Sequence, residues 1–311
     1  MKSATKIVFI ILFVTACGQN QEKLWEELNA KRGLLYQQGQ YAEAVRVAED
    51  ALQAARKAFG PDHATVATAL YNLAILYYHQ GQDTDAEPLY KQALTIREQV
   101  LGPDHLDVAA VLNGLASLYS VQSRYVEAEP LYKRALTIRE NALGPDHPEV
   151  ATTLSNLAGI YGAQSRYADA ELLCQRALAI KETVLGPAHP DVATLLNNLA
   201  LLYNAQGKSA EVEPLLKRAL AIGENALGPD HPDVATALYN LAILYKDQGR
   251  YAEAEPLFKR ALAIWEKTLG IAHPQVAMVL ENMAALYRQT GKEGEARLLE
   301  NRVRTIRATI P

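Results

Sequence analysis

Apolar residues recur along the chain at steps of three and four, the spacing that places side chains on one face of an α-helix. One such stripe consists of Val150, Leu154, Leu157, Ala158 and Tyr161. A second type of stripe, of which Ala254, Phe258, Ala261 and Leu262 are an example, follows in the sequence. The two stripes alternate, so the pattern predicts pairs of amphipathic helices and an all-α fold.

The pair of stripes repeats with a fixed period of 42 residues. Residues 66–77 and 234–245 are the same twelve amino acids, and the tyrosine of the first stripe and the glycine that precedes it keep this spacing throughout. A fixed period of this size is typical of a stacked repeat protein. Seven units are expected, without an intervening linker, starting near residues 24, 66, 108, 150, 192, 234 and 276. The glycines are Gly60, Gly102, Gly144, Gly186, Gly228 and Gly270.

Glycine and proline mark the expected helix boundaries. Gly249 follows a first helix, and its freedom to adopt a positive φ suits a helix end. Gly144-Pro145 closes a second helix, and Pro148 is expected at the first position of the next one. Pro256 is placed early in its helix, where a missing N–H is tolerated. Equivalent residues are Gly81 and Gly207 for Gly249, and Pro88, Pro130 and Pro214 for Pro256.

These positions resemble the tetratricopeptide repeat, which has small residues where its helices cross and an aromatic residue near the end of the first helix. The residues that carry the resemblance are Leu241, Ala242, Tyr245, Gly249, Tyr251, Ala254, Phe258 and Ala261. The 42-residue unit, with its LGPDHP connection and EAEPLYKRAL second helix, is similar to the kinesin light chain subtype. The resemblance covers residues 24–311. It implies a right-handed superhelical solenoid of about seven helix-turn-helix repeats, with a concave face for binding.

The first residues resemble the signal peptide of a bacterial lipoprotein. Lys2 and Lys6 precede a ten-residue apolar run, which is too short to cross a bilayer, and small residues lead to Cys17. The resemblance implies that residues 1–16 are removed and that Cys17 carries acyl chains such as palmitate. An ordinary cleaved signal with an incidental cysteine is the alternative. Residues 17–23 would then be a lipidated tether. Gly18, in place of an aspartate, implies the outer membrane of a diderm bacterium and a chain facing the periplasm.

Charge and cysteine content narrow the function further. The chain has 31 basic and 35 acidic residues, and without Lys2 and Lys6 the net charge is −6. Nucleic-acid binding requires a basic surface, so this class of partner is not expected. With Cys17 lipidated, Cys174 is the only remaining thiol, and no intrachain disulfide can form. Cys174 occupies an aromatic position of the stripe and is expected to be buried.

Three features depart from the repeat pattern or limit its chemistry. Gly223 lies within a helix where sister units have Lys181 or Trp265, which predicts a weak point. The last helix carries charged residues where other units are apolar, which suits a solvated end. Asp146 and its counterparts are expected to be helix-start residues rather than catalytic carboxylates. The charged residues of the last helix are Glu293, Glu295, Arg297, Glu300, Arg302 and Arg304.

Six of the seven histidines are copies of one loop position. Ligands of one metal ion must lie about 2 Å from it, whereas packed helices are about 8–10 Å apart. Equivalent histidines of successive units therefore cannot share an ion, and a helix-capping or packing role is expected. No phosphate loop, nucleophile elbow or zinc-binding helix occurs, so we expect no enzyme activity, cofactor or metal. The histidines are His63, His105, His147, His189, His231 and His273.

A recurring asparagine of the first helix is the main candidate for ligand binding. The resemblance places this position in the groove, where the amide of each asparagine would contact the backbone of an extended peptide; a side chain that both donates and accepts suits this role. The alternative is that each asparagine bonds to a neighbouring repeat, and Gly114 interrupts the series. The candidates of this groove, with their neighbours, are Tyr71, Asn72, Asn113, Asn156, Asn197, Asn198, Tyr239, Asn240 and Asn282.

The sequence thus predicts a non-catalytic scaffold that binds a protein or peptide in its groove and is anchored by lipid to the bacterial envelope. A structural subunit of a permanent assembly is the runner-up, and a hydrolase with an atypical groove site is the third class. A clamp for chaperone C-termini is not expected, because the lysine that such clamps carry four residues before the asparagine is replaced. Its positions hold Thr68, Thr152, Thr194 and Thr236.

Overall fold

A computed structural model describes residues 2–309, with side chains described for residues 19–308. These residues form fourteen α-helices and no strand, which confirms the all-α class and about seven helix pairs. The helices are α1 Lys2–Gln37, α2 Tyr41–Phe59, α3 Ala64–His79, α4 Asp83–Leu101, α5 Leu106–Val121, α6 Tyr125–Leu143, α7 Pro148–Ala163, α8 Tyr167–Leu185, α9 Pro190–Ala205, α10 Ser209–Leu227, α11 Pro232–Asp247, α12 Tyr251–Leu269, α13 Pro274–Gln289 and α14 Glu293–Thr309.

The helices are grouped in two compact units, Met1–Ile160 and Tyr161–Pro311, whose boundary lies within α7. In the first unit α1 packs on α2, α3 on α4 and α5 on α6, and α2 also packs on α3 and α4 on α5. In the second unit α9 packs on α10, α11 on α12 and α13 on α14 in the same way. The first helices of adjacent pairs also touch, as α3 touches α5 and α9 touches α11.

The apolar stripes form the core of each unit, as the sequence predicts. In α11 and α12 the fully covered residues include Leu238, Phe258 and Trp265, which pack against α13 and α14. Cys174 in α8 is 1 % exposed, as expected. A Cβ atom on Gly223 would lie 3.2 Å from Cγ2 of Val234. The buried position in α10 is therefore small because the following helix approaches it closely.

The connections follow from the backbone freedom of particular residues. Gly144 ends α6 with φ 88° and ψ 157°, a combination that is open only to glycine. Gly249 follows α11 with φ 75°, as its sequence position predicts. Ser123 and Ser165 hold the equivalent position in two repeats with φ 59° and 61°. A side chain in this left-handed region is strained, at a cost of about 1–2 kcal/mol.

The prediction for the prolines of the second helices was wrong. Pro256 lies inside α12, as the sixth residue of a helix that begins at Tyr251. Only the first turn of a helix has N–H groups without intrahelical acceptors, so this proline removes a bond from the second turn. Pro88, Pro130 and Pro214 also lie inside their helices.

The expected lipoprotein leader, residues 1–16, and Cys17 precede residue 19, where the description of side chains begins. The backbone there belongs to α1, which continues without a break through residues 19–23, the expected tether, and on to Gln37. Among the helices that the structure describes, none is long and apolar enough to span a bilayer.

Candidate functional site

The repeated histidines are N-terminal caps of the first helices. His147 Nδ1 accepts a hydrogen bond from the backbone N–H of Glu149 at 3.2 Å, and His231 accepts one from Asp233 at 3.2 Å. The same bond, over 3.1–3.2 Å, occurs at His63, His105, His189 and His273. The expected capping role is confirmed. No group of three or more metal-ligating side chains occurs in the described part of the chain.

The prediction that Asp146 starts a helix was incorrect. Asp146 lies in the turn before His147, and α7 begins at Pro148. The imidazole replaces the carboxylate as the cap because it stands next to the first helical residue and its Nδ1 can accept a backbone hydrogen bond. The counterpart Asp230 instead forms an ion pair with Lys267 across 2.8 Å.

The recurring asparagines join neighbouring repeats. Asn72 Nδ2 donates to Asn29 Oδ1 at 3.2 Å. Asn156 makes the same contact with Asn113 at 3.3 Å. In each case the acceptor lies 43 residues earlier in the chain, on the first helix of the previous pair. The amides therefore hold first helices side by side, and they do so where the proposed groove would run.

In the second unit the same contact is extended by other polar groups. Asn240 Nδ2 donates to Asn197 Oδ1 at 3.4 Å. Asn282 donates to the hydroxyl oxygen of Tyr239 at 3.0 Å and accepts from Lys246 Nζ at 2.8 Å. Asn197 is buried and also donates to the carbonyl of Ala193 at 3.2 Å. Asn198 is half-buried on the same helix.

The interruption at Gly114 has a steric cause. A Cβ atom there would lie 2.8 Å from Cε1 of Tyr90, whose ring is 1 % exposed. Tyr90 in turn packs edge-on against the ring of Tyr71, with 5.9 Å between the ring centroids. An asparagine at position 114 would collide with this aromatic pair, so the series of asparagines stops here for packing reasons.

A pocket opens between α9, α10 and α11 in the second unit. Its volume is about 160 Å³, and most of its lining is aliphatic. Asn204, Tyr239 and Asn240 supply polar groups at its wall. Leu201, which also lines the pocket, is 53 % exposed. The remaining lining residues are Ala200, Val212, Leu216, Ile243 and Leu244.

A set of ion pairs that the repeat pattern did not predict joins second helices to the end of the following first helix. Glu213 in α10 accepts from Tyr245 at 2.9 Å and from Arg250 at 2.7 Å, and pairs with Lys217 at 2.7 Å. The hydrogen bonds from Arg250 and Lys217 lower the pKa of Glu213 to about 2. The available signal was the glutamate directly before the proline of a second helix, with a tyrosine 32 residues and a cation 37 residues later in the sequence.

The same arrangement recurs in other repeats. Glu87 accepts from Tyr119 and Arg124, and the hydrogen bond from Arg124 is the main reason that the pKa of Glu87 is lowered to about 2. Glu255 accepts from Tyr287 at 3.1 Å and from Lys292 at 2.8 Å. These residues stabilise the contact between repeats.

The helix pairs and their small, aromatic and glycine positions define a tetratricopeptide array. The tetratricopeptide repeat model matches residues 32–99, 65–138, 107–183, 150–225, 191–263 and 233–309, so the chain belongs to the tetratricopeptide repeat family. No functionally curated protein matches it significantly.

Several solved structures are similar to this chain. BtubC (BKLC) from P. vanneervenii is 26 % identical with a TM-score of 0.57, over 83 % of this chain and 92 % of that one. A putative kinesin light chain with nearly identical repeats, from Podosopora anserina, is 28 % identical with a TM-score of 0.55, over 66 % of this chain and 98 % of that one. Aspartyl phosphate phosphatase F from Bacillus subtilis shares the fold, with a TM-score of 0.73 at 14 % identity over 98 % and 76 %.

Proposed function

We propose that this chain is a non-catalytic scaffold that binds an extended segment of a protein partner along its first helices. The pocket between α9, α10 and α11 is the observation that carries the proposal. Its volume of about 160 Å³ suits one apolar side chain, and the exposed Leu201 extends its apolar surface. The amides of Asn204 and Asn240 lie at the same wall. They offer a donor and an acceptor each to the main chain of such a segment.

The asparagines serve two purposes in this account, since an amide that holds one neighbour still has further donor and acceptor capacity. Replacing Asn198 and Asn240 together by alanine should weaken peptide binding by roughly 1–3 kcal/mol, from two hydrogen bonds of about 0.5–1.5 kcal/mol each. The melting temperature will also fall, because Asn240 bonds to Asn197. Both quantities are measured on the double variant. A lower melting temperature with unchanged affinity of the folded protein would assign these residues to repeat packing alone.

The scaffold is proposed to be attached to the bacterial envelope through lipid on Cys17, with the outer membrane and its periplasmic face as the favoured location. The support is the basic, apolar and small-residue order of residues 2–17. A Cys17→Ala variant expressed in a diderm bacterium is expected to move from the membrane to the soluble fraction and to lose incorporation of labelled palmitate. Unchanged fractionation would contradict the anchor without affecting the binding function.

A permanent structural subunit is the second candidate, because repeat stacks also serve as assembly surfaces. Purification from the native membrane separates the two. A partner that remains stoichiometric through purification supports the structural role, whereas an isolated chain that takes up peptides supports the scaffold.

A further inference from the structure

The first helix of the stack exposes a row of residues whose equivalents are buried in every later repeat. This row, the α1 stripe, consists of Leu24, Glu27, Lys31 and Leu34. Steps of three and four residues place these side chains on one face of the helix. Leu24 is 41 % and Leu34 60 % exposed, and the two charged residues between them are exposed as well. The described residues therefore leave this face of α1 open.

The 42-residue period shows how the same face is used in the other repeats. In α3 the equivalent residues, all of them buried, are Val66, Ala69, Leu73 and Leu76. The equivalents in α5, α7, α9, α11 and α13 are buried too. The preceding second helix packs on this face, as α2 does on α3 and α4 on α5. The two helices run antiparallel, because only residues 60–63 connect α2 to α3.

The last helix of the stack meets solvent in a different way. Phe258 and Leu262 of α12 have Glu300 and Arg304 as their equivalents in α14. Glu300 lies 2.6 Å from Arg288 of the same chain, so its charge is already paired. A polar outer face of this kind is the usual end of a repeat stack. In contrast, α1 keeps leucines at both ends of its open face.

The α1 stripe is complementary to itself. Glu27 and Lys31 lie two residues before and after Asn29. Leu24 and Leu34 lie five residues before and after it. When two copies of α1 lie antiparallel and cross at Asn29, Glu27 of each copy faces Lys31 of the other. Leu24 then faces Leu34 in the same way. Two-fold symmetry forms every contact twice, so two ion pairs lie between two pairs of leucines.

The charges of α1 favour a second copy over a lipid surface as the cover of this face. Residues 19–37 contain three acidic and three basic residues, and their net charge is zero. Helices that lie flat on membranes are instead rich in lysine and arginine. Glu27, in the middle of the stripe, would be brought toward the lipid without a partner.

Lys31 is available to a second copy. Its Nζ lies 3.6 Å from Glu43 Oε1, and the two side chains are 57 % and 45 % exposed. An exposed ion pair of this kind contributes little to stability. Lys31 can therefore turn from Glu43 to Glu27 of a partner copy at low cost.

We propose that the α1 stripe is the interface through which two copies of this chain form an antiparallel dimer with two-fold symmetry. In this dimer each α1 covers the other as a second helix covers α3 in the stack. One helix face is smaller than a standard interface, which buries about 1,200–2,000 Å², so we expect dissociation in the micromolar range. The interface uses no residue of the pocket between α9, α10 and α11, and its failure would leave the peptide-binding function untouched.

Reversal of single charges tests the pairing of Glu27 with Lys31. The full chain is purified in detergent, and its mass is measured by light scattering across the micromolar range. Glu27→Lys and Lys31→Glu each place like charges opposite one another, so each is expected to raise the dissociation constant of the dimer at least tenfold. An equimolar mixture of the two variants should form dimers of wild-type strength, because every pair in the mixed dimer again has opposite charges. Unfolding curves are recorded first for all variants.

Leu34→Glu tests the apolar part of the interface and is also expected to raise the dissociation constant at least tenfold. Leu298→Glu is the matched control, because Leu298 is a leucine of the last helix, α14, that is 69 % exposed. This control should dimerise like the wild type.

Three results would overturn the interface. The first is a wild type that stays monomeric at all concentrations, or a dimer that Glu27→Lys and Leu34→Glu leave unchanged. The second is an assembly of more than two copies that Leu298→Glu disrupts, which would indicate head-to-tail stacking. The third is a monomeric chain whose binding to phosphatidylglycerol vesicles is weakened by Leu34→Glu, which would assign the stripe to lipid.

Disulfide cross-linking tests the antiparallel arrangement. Leu24→Cys and Leu34→Cys are carried on separate copies with different tags, in a Cys17→Ala background. After an oxidant is added, the co-expressed pair is expected to cross-link, whereas neither variant should cross-link with itself. Cross-linking of Leu24→Cys with itself alone would show a parallel pair and contradict the proposed dimer.

Discussion

At the scale of single residues, the fit between side chains explains where the repeat pattern is broken. Gly114 takes the place of an asparagine because Tyr90 occupies the space that its Cβ would need. Gly159 in α7 is also helical, but it is exposed and a Cβ there meets nothing within 4 Å. The two glycines therefore separate the effect of packing from that of helix propensity.

Gly114→Ala is expected to destabilise the protein, because overpacking of about 1–3 kcal/mol exceeds the gain of about 1 kcal/mol that alanine brings to a helix. Gly159→Ala should stabilise it by about 0.5–1 kcal/mol. Urea unfolding of both variants measures the difference. An increase in stability for Gly114→Ala would show that the Tyr90 ring moves aside without cost.

Cys174 provides a second test at this scale. It is buried, and burial raises the pKa of its thiol to about 11. In a Cys17→Ala background, a thiol reagent at pH 8 should label the native protein far more slowly than the unfolded one. Cys174→Ala should cost roughly 1–2 kcal/mol through the small cavity that it leaves. Rapid labelling of the native state would contradict the packing of α8.

At the scale of helices, two sets of polar contacts link successive pairs. The asparagines tie first helices together, and the glutamates of the second helices bind the tyrosine and cation at the following helix end. The glutamates of the second set have shifted pKa values. Glu87, Glu213 and Glu255 all have pKa values lowered to about 2, chiefly by hydrogen bonds from their cationic partners.

A carboxyl group whose pKa is lower in the folded state stabilises the fold above its unfolded pKa of about 4.3. This contribution is lost as the pH falls from that value toward 2, since the unfolded chain then binds more protons. Glu213→Gln should therefore lower stability at pH 6 and reduce the loss of stability between pH 5 and 2. Glu211→Gln, in the first turn of the same helix, is the control. Parallel pH profiles for wild type and Glu213→Gln would refute the role of Glu213.

Periodicity sufficed to predict the helix pairs and the buried face, because these depend on local spacing and on glycine conformation. Contacts between repeats were harder to predict. The bond of Asn156 to Asn113 spans 43 residues and was only one of two alternatives for the asparagines. Glu213 looked like any solvated glutamate, since its partners are distant in sequence. The place of Pro256 in the second turn depends on where α12 begins, which the pattern located only approximately.

At the scale of the whole molecule, contacts that recur in each repeat stabilise the stack. Residues that vary between repeats give each repeat different side chains at equivalent positions. The position of Arg97 and Arg139 is occupied by glycine and tryptophan in other repeats, and the position of Tyr71 is occupied by Asn113 and Asn197. A partner that lies across several repeats meets a different side chain in each. In the proposed scaffold, positions that vary between repeats would determine selectivity, and the lipid on Cys17 would determine where it acts.

The surface around the α9–α11 pocket is proposed to bind a peptide, and the peptide affinity of a Leu201→Glu variant is the decisive measurement. A fluorescent dye that binds in the pocket of the wild type is identified first. A peptide that displaces this dye is then selected from a library of random decapeptides. In Leu201→Glu the new carboxylate would be buried when the peptide binds. The dissociation constant should therefore rise at least tenfold, which corresponds to a loss of about 1.4 kcal/mol in binding free energy. Leu172 is a leucine on α8 that is even more exposed and does not line the pocket, so Leu172→Glu should bind like the wild type. Unchanged affinity in both variants would contradict binding at this pocket.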